Sequence, residues 1–335
     1  MDMNSHVCTE GKLWDLHIHS CQCFSAESTI KNLTVYEYVT QLLSLLSNYA
    51  DLEMISFTDH NRINEDVYRE FDSRGSGIVL LPGIEVDVAL EQGGVSKHLV
   101  VYFDAIDNVD LLSRLASEIN AFMSENHVGN GKGESPVDIH KVLDKFISLQ
   151  VPFVLSPHAM KQGKRSIDYD WHSMPDEKRA TEMKKYLDQF FCFWESSGHS
   201  EIAHAVDFLK QMDCDEKISI VSFSDSKDFG KLKEYLDKPN QYFNALPNYN
   251  GLKMAGSEIT RITRTQDRTP ENELGSYIGQ VDFDGQTMRF TPRLNAIIGG
   301  TGSGKSVLLD ALAIHMHLQS GELKDNRLSF VEHYP

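Results

Sequence analysis

Two histidines near the start of the sequence could bind a metal ion. His17 and His19 lie in the segment Asp-Leu-His-Ile-His at residues 15–19, with apolar residues before and between them. This pattern predicts a β-strand, on which side chains two apart point to the same face. Paired imidazoles at a strand end suit zinc, manganese or iron. A His-x-His pair alone has a high rate of false matches, so its meaning depends on the rest of the chain.

More side chains with metal-binding chemistry follow the later apolar segments. They are Asp59 and His60 after the second predicted strand, Glu85 on the third, His98 in the fourth, His158 after the fifth and Asp225 after the seventh. Each one alone has an ordinary structural explanation, such as a helix cap or a hydrogen-bonded strand residue. In a parallel barrel, however, the carboxyl ends of the strands meet at one face, where active sites are built. Their joint placement therefore favours a metal centre.

The elements that must position these residues alternate along the chain. The predicted strands are Lys12–Ile18, Met54–Thr58, Ile78–Leu81 with Ile84–Val88, Lys97–Phe103, Pro152–Ser156, Phe191–Glu195 and Ile218–Phe223. Apolar residues at helical spacing predict helices at Val35–Leu46, Leu111–Met123, Asp138–Leu149, Asp176–Gln189 and Glu201–Met212. Strand–helix alternation repeated about seven times predicts a parallel barrel or a doubly wound sheet.

Composition narrows the class of protein. The 335 residues are 41% hydrophobic and 10% aromatic, which are globular values. The formal net charge of -17 argues against a general nucleic-acid coating protein and gives no support for a membrane partner. Five cysteines without a paired C-x-x-C pattern, no apolar leader and no long apolar run predict a reduced, cytoplasmic protein.

Residues 13 to about 230 resemble the PHP (polymerase and histidinol phosphatase) superfamily. The matching segments, in the family's order, are Asp-Leu-His-Ile-His, Thr-Asp-His, Gly-Ile-Glu, Lys-His-Leu, Ser-Pro-His and Ser-Asp-Ser. The resemblance implies a distorted (β/α)7 barrel over residues 1–250, with a phosphoesterase site of two or three metal ions. It implies one metal on His17, His19, Glu85 and Asp225, a second on Glu85, His98 and His158, and a third that includes His60.

The sequence departs from this family pattern at the third metal. The last motif of the family usually ends in Asp-x-His, and Lys227 stands where that histidine would be. An early ligand of the third metal is also not evident; Ser25 lies near its place. Lys227 could fill that space as a cation, contact a substrate phosphate, or be an ordinary surface lysine.

A two-metal centre of this kind predicts phosphoester hydrolysis. Two ions about 3.5–4 Å apart polarise a phosphoryl oxygen and activate water at neutral pH. The residues leave the proton donor for the leaving group open, with Asp59 and a coordinated water as the candidates.

A second motif lies near the end of the sequence. G-x-x-x-x-G-K-[ST] is matched by Gly299, Gly300, Thr301, Gly302, Ser303, Gly304, Lys305 and Ser306. A strand at Asn295–Ile298 and a helix after the motif are predicted, which is the context such a loop requires. The loop would bind ATP and Mg²⁺, with Lys305 reaching the β- and γ-phosphates and Ser306 ligating the ion.

The character of the sequence changes after residue 250. Residues 251–276 are predicted to be a linker, and a hairpin at Tyr277–Asp284 and Thr287–Phe290 turns at Asp284-Gly285. Residues 277–335 resemble the N-terminal part of an SMC/ABC-like P-loop ATPase lobe. The order of the two regions resembles bacterial PHP-associated, SMC-like ATPases, which implies a role in anti-phage defence or nucleic-acid processing.

The segment after Ser306 is too short for a Walker B strand and signature motif. We therefore expect an incomplete ATPase that needs its remainder or a second ATPase-containing chain, and the resemblance implies a homodimer.

Three functions follow from these residues. The first is a metal-dependent nuclease whose phosphodiester substrate is nucleic acid, gated by the ATPase. The second is a phosphatase for nucleotides or small molecules, which the charge of -17 favours over a nuclease. The third is a degenerate, non-catalytic PHP scaffold for the ATPase, which Lys227 favours.

Overall fold

A computed structural model describes residues 11–90, 94–126, 136–159, 165–168, 181, 191–196, 199–265, 278–283, 286–290 and 295–315. The chain divides into two compact units, Met1–Glu273 and Leu274–Pro335. Within the described residues, none of the helices combines the length and the apolar character needed to cross a membrane.

The first unit is a mixed α/β structure. Its described strands are β1 (Leu13–Ile18), β2 (Leu52–Phe57), β3 (Val79–Leu80), β4 (Gly83–Ala89), β5 (Lys97–Phe103), β6 (Val137–Asp138), β7 (Phe153–Ala159), β8 (Phe193–Ser196), β9 (Ser219–Val221), β10 (Gln241–Phe243) and β11 (Ile262–Arg264). Its described α-helices are α1 (Ser28–Lys31), α2 (Val35–Leu46), α3 (Glu65–Ser73), α4 (Val109–Glu125), α5 (Ile139–Ser148), α6 (His199–Gln211), α7 (Phe229–Asp237) and α8 (Tyr249–Ser257). A 3-10 helix covers Ile259–Arg261.

Two sheets carry the candidate ligands. One is the parallel sheet β1-β2-β3, and the other has the order β6-β4-β5-β7-β8-β9. They are joined only by isolated bridges, Ile18 to Ser226 and His60 to Glu85, among the described residues. Among the described residues the structure is therefore a pair of sheets linked at the ends of β1 and β2. The closed (β/α)7 barrel that the PHP resemblance implies is not shown there.

The direction of β5 is the clearest departure from a parallel barrel. This strand runs antiparallel to both β4 and β7. The connection over residues 90–96 is too short for the helical crossover that parallel neighbours require. Because β5 is reversed, its first residues lie beside the last residues of β4, and His98 pairs with Asp87. The reversal brings His98 to the same edge as the ends of the other strands.

Burial of apolar side chains explains the elements around the sheets. All seven residues of β5 are buried, as expected for a central strand covered on both faces. Helix α2 has the predicted bounds, and this prediction is confirmed. It begins at a capping box in which Thr34 and Glu37 satisfy each other's backbone N–H groups. Its buried face includes Val39 and Leu42, which are fully inaccessible.

The predicted linker is wrong over its first half. Residues 249–264 form α8, the 3-10 helix and β11, which pairs antiparallel with β10. Leu252 and Ala255 are 0% exposed and pack in one cluster with Trp14 of β1. Removing this apolar area from water stabilises the segment against the first unit, which therefore extends past residue 250. Residues 266–276 lie outside the described part.

The described part of the second unit is small. The predicted hairpin is confirmed as β12 (Gln280–Phe283) paired antiparallel with β13 (Gln286–Arg289); its turn at 284–285 lies outside the described residues. Helix α9 (Lys305–His315) follows the glycine-rich loop. The predicted strand at Asn295–Ile298 is wrong, because residues 295–300 have no regular structure and Ile298 is 93% exposed. No described strand runs beside this segment to complete a ladder.

Candidate metal centre

Glu85 on β4 is the centre of a buried cluster of histidines. Its side chain is 1% exposed. Its Oε2 atom lies 3.4 Å from Nε2 of His17, 3.4 Å from Nε2 of His19 and 3.1 Å from Nε2 of His60. One carboxylate oxygen therefore faces three imidazole nitrogens from β1 and from the turn after β2.

The second oxygen of Glu85 faces a different pair of imidazoles. Its Oε1 atom lies 2.7 Å from Nδ1 of His98 and 3.2 Å from Nδ1 of His158. Asp225 belongs with the group that faces Oε2 of Glu85, because its Oδ1 atom is 3.1 Å from Nε2 of His19 and 3.8 Å from Nε2 of His17. The other six predicted metal-type residues thus lie close together with Glu85. Their role as ligands stays a prediction.

Turns with unusual backbone angles deliver several of these side chains. Asp225 has a positive φ of 44°, and the next residue, Ser226, forms the bridge to Ile18 of β1. Asn61, directly after His60, has φ 56° and donates its backbone N–H to the carbonyl of Glu85 over 2.7 Å. Positive φ costs free energy for residues other than glycine, and here both strained positions adjoin the centre.

The buried polar atoms of the centre fit a divalent cation. Both carboxylate oxygens of Glu85 and Nε2 of His17 are inaccessible, and none of them makes a well-aligned hydrogen bond although the imidazole nitrogens around Glu85 lie close by. A buried polar group without a partner is costly, and a bound cation would satisfy all three atoms. His17, His19 and Glu85 form one group of donors close enough to share an ion, and Glu85, His98 and His158 form another. Mixed imidazole and carboxylate donors suit zinc, manganese or iron.

The charged groups of the cluster shift one another's pKa values. Burial raises the pKa of Glu85, but His60, His98, His158 and His17 hold that pKa well below its ordinary value. Burial lowers the pKa of His17, and the carboxylates of Glu195 and Glu85 raise it to about 10. The carboxylates are therefore in the ionised form that binds metal, and a cation would displace the proton on His17.

Two carboxylates of this region were not predicted from the sequence. Glu195 on β8 lies with Oε1 2.8 Å from Nδ1 of His17 and 3.3 Å from Nε2 of His158. Asp87 lies with Oδ1 3.2 Å from Nε2 of His98. Both were detectable in principle, because Glu195 ends the apolar run Phe-Trp-Glu and Asp87 is two residues from Glu85 on the same face of β4.

Lys227 and Cys23 lie at the edge of the cluster. The Nζ atom of Lys227 is 3.5 Å from Oδ1 of Asp225, and its side chain is one-third exposed. Cys23 places Sγ 3.5 Å from Nδ1 of His19 and 3.2 Å from Oγ of Ser25. The structure thus brings Lys227 to the centre as a partly exposed cation beside the carboxylate of Asp225.

Asp59, the candidate proton donor, lies buried between the residues after β1 and the start of α3. Its carboxylate accepts hydrogen bonds from the backbone N–H of Ser20 (2.6 Å), from the Ser20 hydroxyl (2.5 Å) and from Nδ2 of Asn64 (2.5 Å). These three hydrogen bonds tie the residues after β1 to the start of α3. The role of Asp59 as a proton donor stays a prediction.

The glycine-rich loop of the second unit has the turns that its glycines allow. Gly302 and Gly304 have φ angles of +80° and +82°, which L-residues rarely adopt. The ammonium of Lys305 donates to the carbonyl oxygens of Gly299 (2.6 Å) and Gly300 (2.7 Å). The predicted nucleotide-binding residues from Gly299 to Ser306 therefore lie together at the start of α9, with most of them exposed.

Comparison of the sequence with known proteins gives one match. A family model described as an AAA domain matches residues 273–335, which coincide with the second unit. No curated protein matches the chain.

Comparison with solved structures gives distant likenesses. A proposed metal-dependent phosphoesterase from Bifidobacterium adolescentis is 13% identical, with a TM-score of 0.40 over 74% of this chain and 98% of its own. A two-domain protein from Bacteroides vulgatus, containing a predicted PHP-like metal-dependent phosphoesterase, is 13% identical, with a TM-score of 0.43 over 79% and 69%. An amidohydrolase from Chromobacterium violaceum with bound sulfate and no metal is 14% identical, with a TM-score of 0.38 over 63% and 86%.

Proposed function

We propose that the first unit is a metal-dependent phosphoesterase that cleaves the phosphodiester bonds of nucleic acid. The observation that supports this is the position of Glu85, whose two oxygens face two different groups of histidines. A carboxylate between two sets of donors is the arrangement expected of a bridging ligand in a two-metal centre.

Each group of residues has a role in this proposal. His17, His19 and Asp225 would hold one ion with Glu85, and His98 and His158 would hold the second with the same carboxylate. When bound, two such ions polarise a phosphoryl oxygen and activate water at neutral pH. The histidines keep Glu85 ionised.

Lys227 would act on the substrate rather than on the metals. Its ammonium stands beside Asp225 and is accessible to solvent. A phosphate at this edge would gain a charge-assisted hydrogen bond. In this proposal the lysine supplies positive charge beside Asp225, at the place where the PHP resemblance implies a histidine for a third metal.

The second unit would bind nucleotide at the exposed loop. Backbone N–H groups at the start of a helix and a nearby lysine are suited to phosphate. ATP and Mg²⁺ at this loop would regulate the phosphoesterase, and a complete ATPase would need residues from the rest of the lobe or from another chain, as in a homodimer.

A phosphatase that acts on nucleotides is the second candidate. The formal net charge of -17 favours it, because a polyanion is repelled by an acidic protein more strongly than a mononucleotide is. The proposed metal ligands are the same for both candidates, but the nuclease hydrolyses a phosphodiester and the phosphatase a phosphomonoester.

The test measures metal content and turnover on the same samples. The 335-residue chain, its Asp225→Asn variant and the control Asp207→Asn, an exposed residue of α6, are compared for bound metal and for hydrolysis of bis-p-nitrophenyl phosphate with Mn²⁺. We expect two ions per chain, with turnover lost only in Asp225→Asn. Cleavage of a polynucleotide then supports the nuclease, and release of phosphate from a mononucleotide supports the phosphatase. Wild-type protein without metal or turnover would contradict both and favour a non-catalytic scaffold.

A further inference from the structure

The buried carboxylate of Glu195 contacts two histidines of the cluster at the ring nitrogens that do not face Glu85. Oε1 of Glu195 lies 2.8 Å from Nδ1 of His17 and 3.3 Å from Nε2 of His158. Glu195 is 1% exposed, and these two nitrogens are 2.8 Å apart. The other nitrogens of the same rings face opposite oxygens of Glu85, Nε2 of His17 towards Oε2 and Nδ1 of His158 towards Oε1.

The chemistry of imidazole links the two sides of each ring. A neutral imidazole has one nitrogen with a lone pair and one N–H. If the nitrogen facing Glu85 is to bind a cation, its lone pair must point there and the proton must be on the nitrogen facing Glu195. The carboxylate of Glu195 would then accept a hydrogen bond from each of the two N–H groups, in place of the 2.8 Å hydrogen bond between the rings, and its negative charge would offset the repulsion between them.

We propose that Glu195 is a shared positioning residue for both metals of the centre. By accepting an N–H from His17 and from His158, it fixes the tautomer and ring orientation of one ligand on each side of Glu85. Occupancy of the two metal positions is thereby coupled through a residue that touches neither ion. This inference rests on the two-metal function proposed for the first unit.

Asp87 provides a matched comparison within the same structure. It contacts Nε2 of His98, a residue on the Oε1 side of Glu85. It is also held by Asn61 and Ser96. Asp87 therefore supports one ligand of one metal, whereas Glu195 supports one ligand of each.

Glu195 could instead be a metal ligand itself, but not while Nε2 of His17 binds an ion beside Glu85. His17, His158 and Glu195 are close enough together to hold an ion by themselves. That ion would need the lone pair of His17 on Nδ1, which is the nitrogen that carries the proton when Nε2 binds metal. The two arrangements therefore compete for His17, and the number of ions bound distinguishes them.

The test titrates the full 335-residue chain with Co²⁺ and follows the absorption of the bound ion. Wild type, Glu195→Gln, Glu195→Asp and Asp87→Asn are compared, with thermal unfolding to check that each variant folds. Loss of such an outer partner lowers metal affinity by about 10–100-fold. We expect wild type to bind two ions, Glu195→Gln to lose affinity at both, and Asp87→Asn to lose affinity at one. Glu195→Asp, which keeps the charge, should bind both ions more tightly than Glu195→Gln.

A second measurement detects the tautomers directly. Nitrogen-15 spectra of the histidine side chains in the zinc-loaded protein should show a proton on Nδ1 of His17 and on Nε2 of His158. Both signals should shift in Glu195→Gln and stay in place in Asp87→Asn. A general loss of stability would not produce this difference between the two variants.

The outcomes separate this inference from the proposed function. Unchanged affinity in Glu195→Gln, or loss at one position only, would overturn the shared role while leaving the two-metal centre intact. A third ion that disappears in Glu195→Gln would make the residue a ligand instead. Wild-type protein that binds no Co²⁺ would overturn the proposed function, and this inference with it.

Discussion

The candidate metal centre takes its side chains from strands and turns spread between residues 17 and 225, whereas the glycine-rich loop takes all of its groups from residues 299–306. The histidines around Glu85 are between 0% and 9% exposed. Residues 301–304 of the loop are exposed, and Ile298 just before it is 93% exposed. The first region is assembled by the fold, and the second is formed locally by glycine turns and a helix start.

This difference determines how each region should respond to change. In the buried centre, every charged group is held by others, so one substitution affects several residues and the stability of the unit. In the exposed loop, water screens each contact, so a substitution should change ligand binding and little else. The following experiments test that contrast, beginning with the largest expected effect.

The first test removes the charge at the middle of the centre. Glu85→Gln should lower hydrolysis of bis-p-nitrophenyl phosphate by roughly a thousandfold or more, because several kcal/mol of metal-dependent stabilisation are lost and each 1.36 kcal/mol is tenfold. Turnover and bound metal are measured together. Glu234→Gln on the exposed side of α7 is the control. Full turnover in Glu85→Gln would show that the cluster is not the active site.

The second test acts on the scaffold rather than on the ligands. Leu252→Ala should lower the free energy of unfolding of the first unit by about 2–5 kcal/mol, since it leaves a cavity in the core beside Trp14 of β1. Denaturant unfolding followed by the fluorescence of tryptophan measures this. A change of less than about 0.5 kcal/mol would mean that residues after 250 are a linker after all.

Metal withdrawal is the third test. An ion that binds only the folded unit at a hundredfold its Kd adds about 2.7 kcal/mol to the free energy of unfolding. Thermal melts with Mn²⁺ and with a chelator should therefore differ in wild type and not in Glu85→Gln. Equal stabilisation of both proteins would place the ion elsewhere.

The fourth test concerns the accessible cation at the edge. Lys227→Met should reduce kcat/KM for a phosphodiester by about tenfold, because one partly solvated charge-assisted contact is lost. The number of bound metal ions should stay the same. If metal content falls with turnover, Lys227 supports Asp225 and does not contact substrate.

The smallest effect is expected in the loop. Lys305→Ala should weaken binding of ATP with Mg²⁺ by roughly fivefold, as exposed ion pairs contribute about 1 kcal/mol or less. Calorimetry measures the affinity, with Lys233→Ala on α7 as control. Phosphoesterase turnover without nucleotide should not change. A large loss of turnover in Lys305→Ala would mean that the two regions are not independent.

Local patterns were sufficient for part of this protein. The bounds of α2, the hairpin β12-β13 and the five histidines that surround Glu85 were predicted from the sequence. Helical periodicity, turn residues and the placement of His, Asp and Glu at strand ends depend on neighbours in the chain, and neighbours are visible in sequence. The positive φ of Gly302 and Gly304 is likewise a property that glycine itself permits.

Only the tertiary structure decided the rest. It reversed β5, which brought His98 beside Asp87, and it placed Glu195 behind His17 and His158. It also packed Leu252 into the first unit and left Asn295–Ile298 without a partner strand among the described residues. The physical reason is the same in each case: strand pairing and the burial of a carboxylate depend on which distant segments come into contact, and residue spacing along the chain does not contain that information.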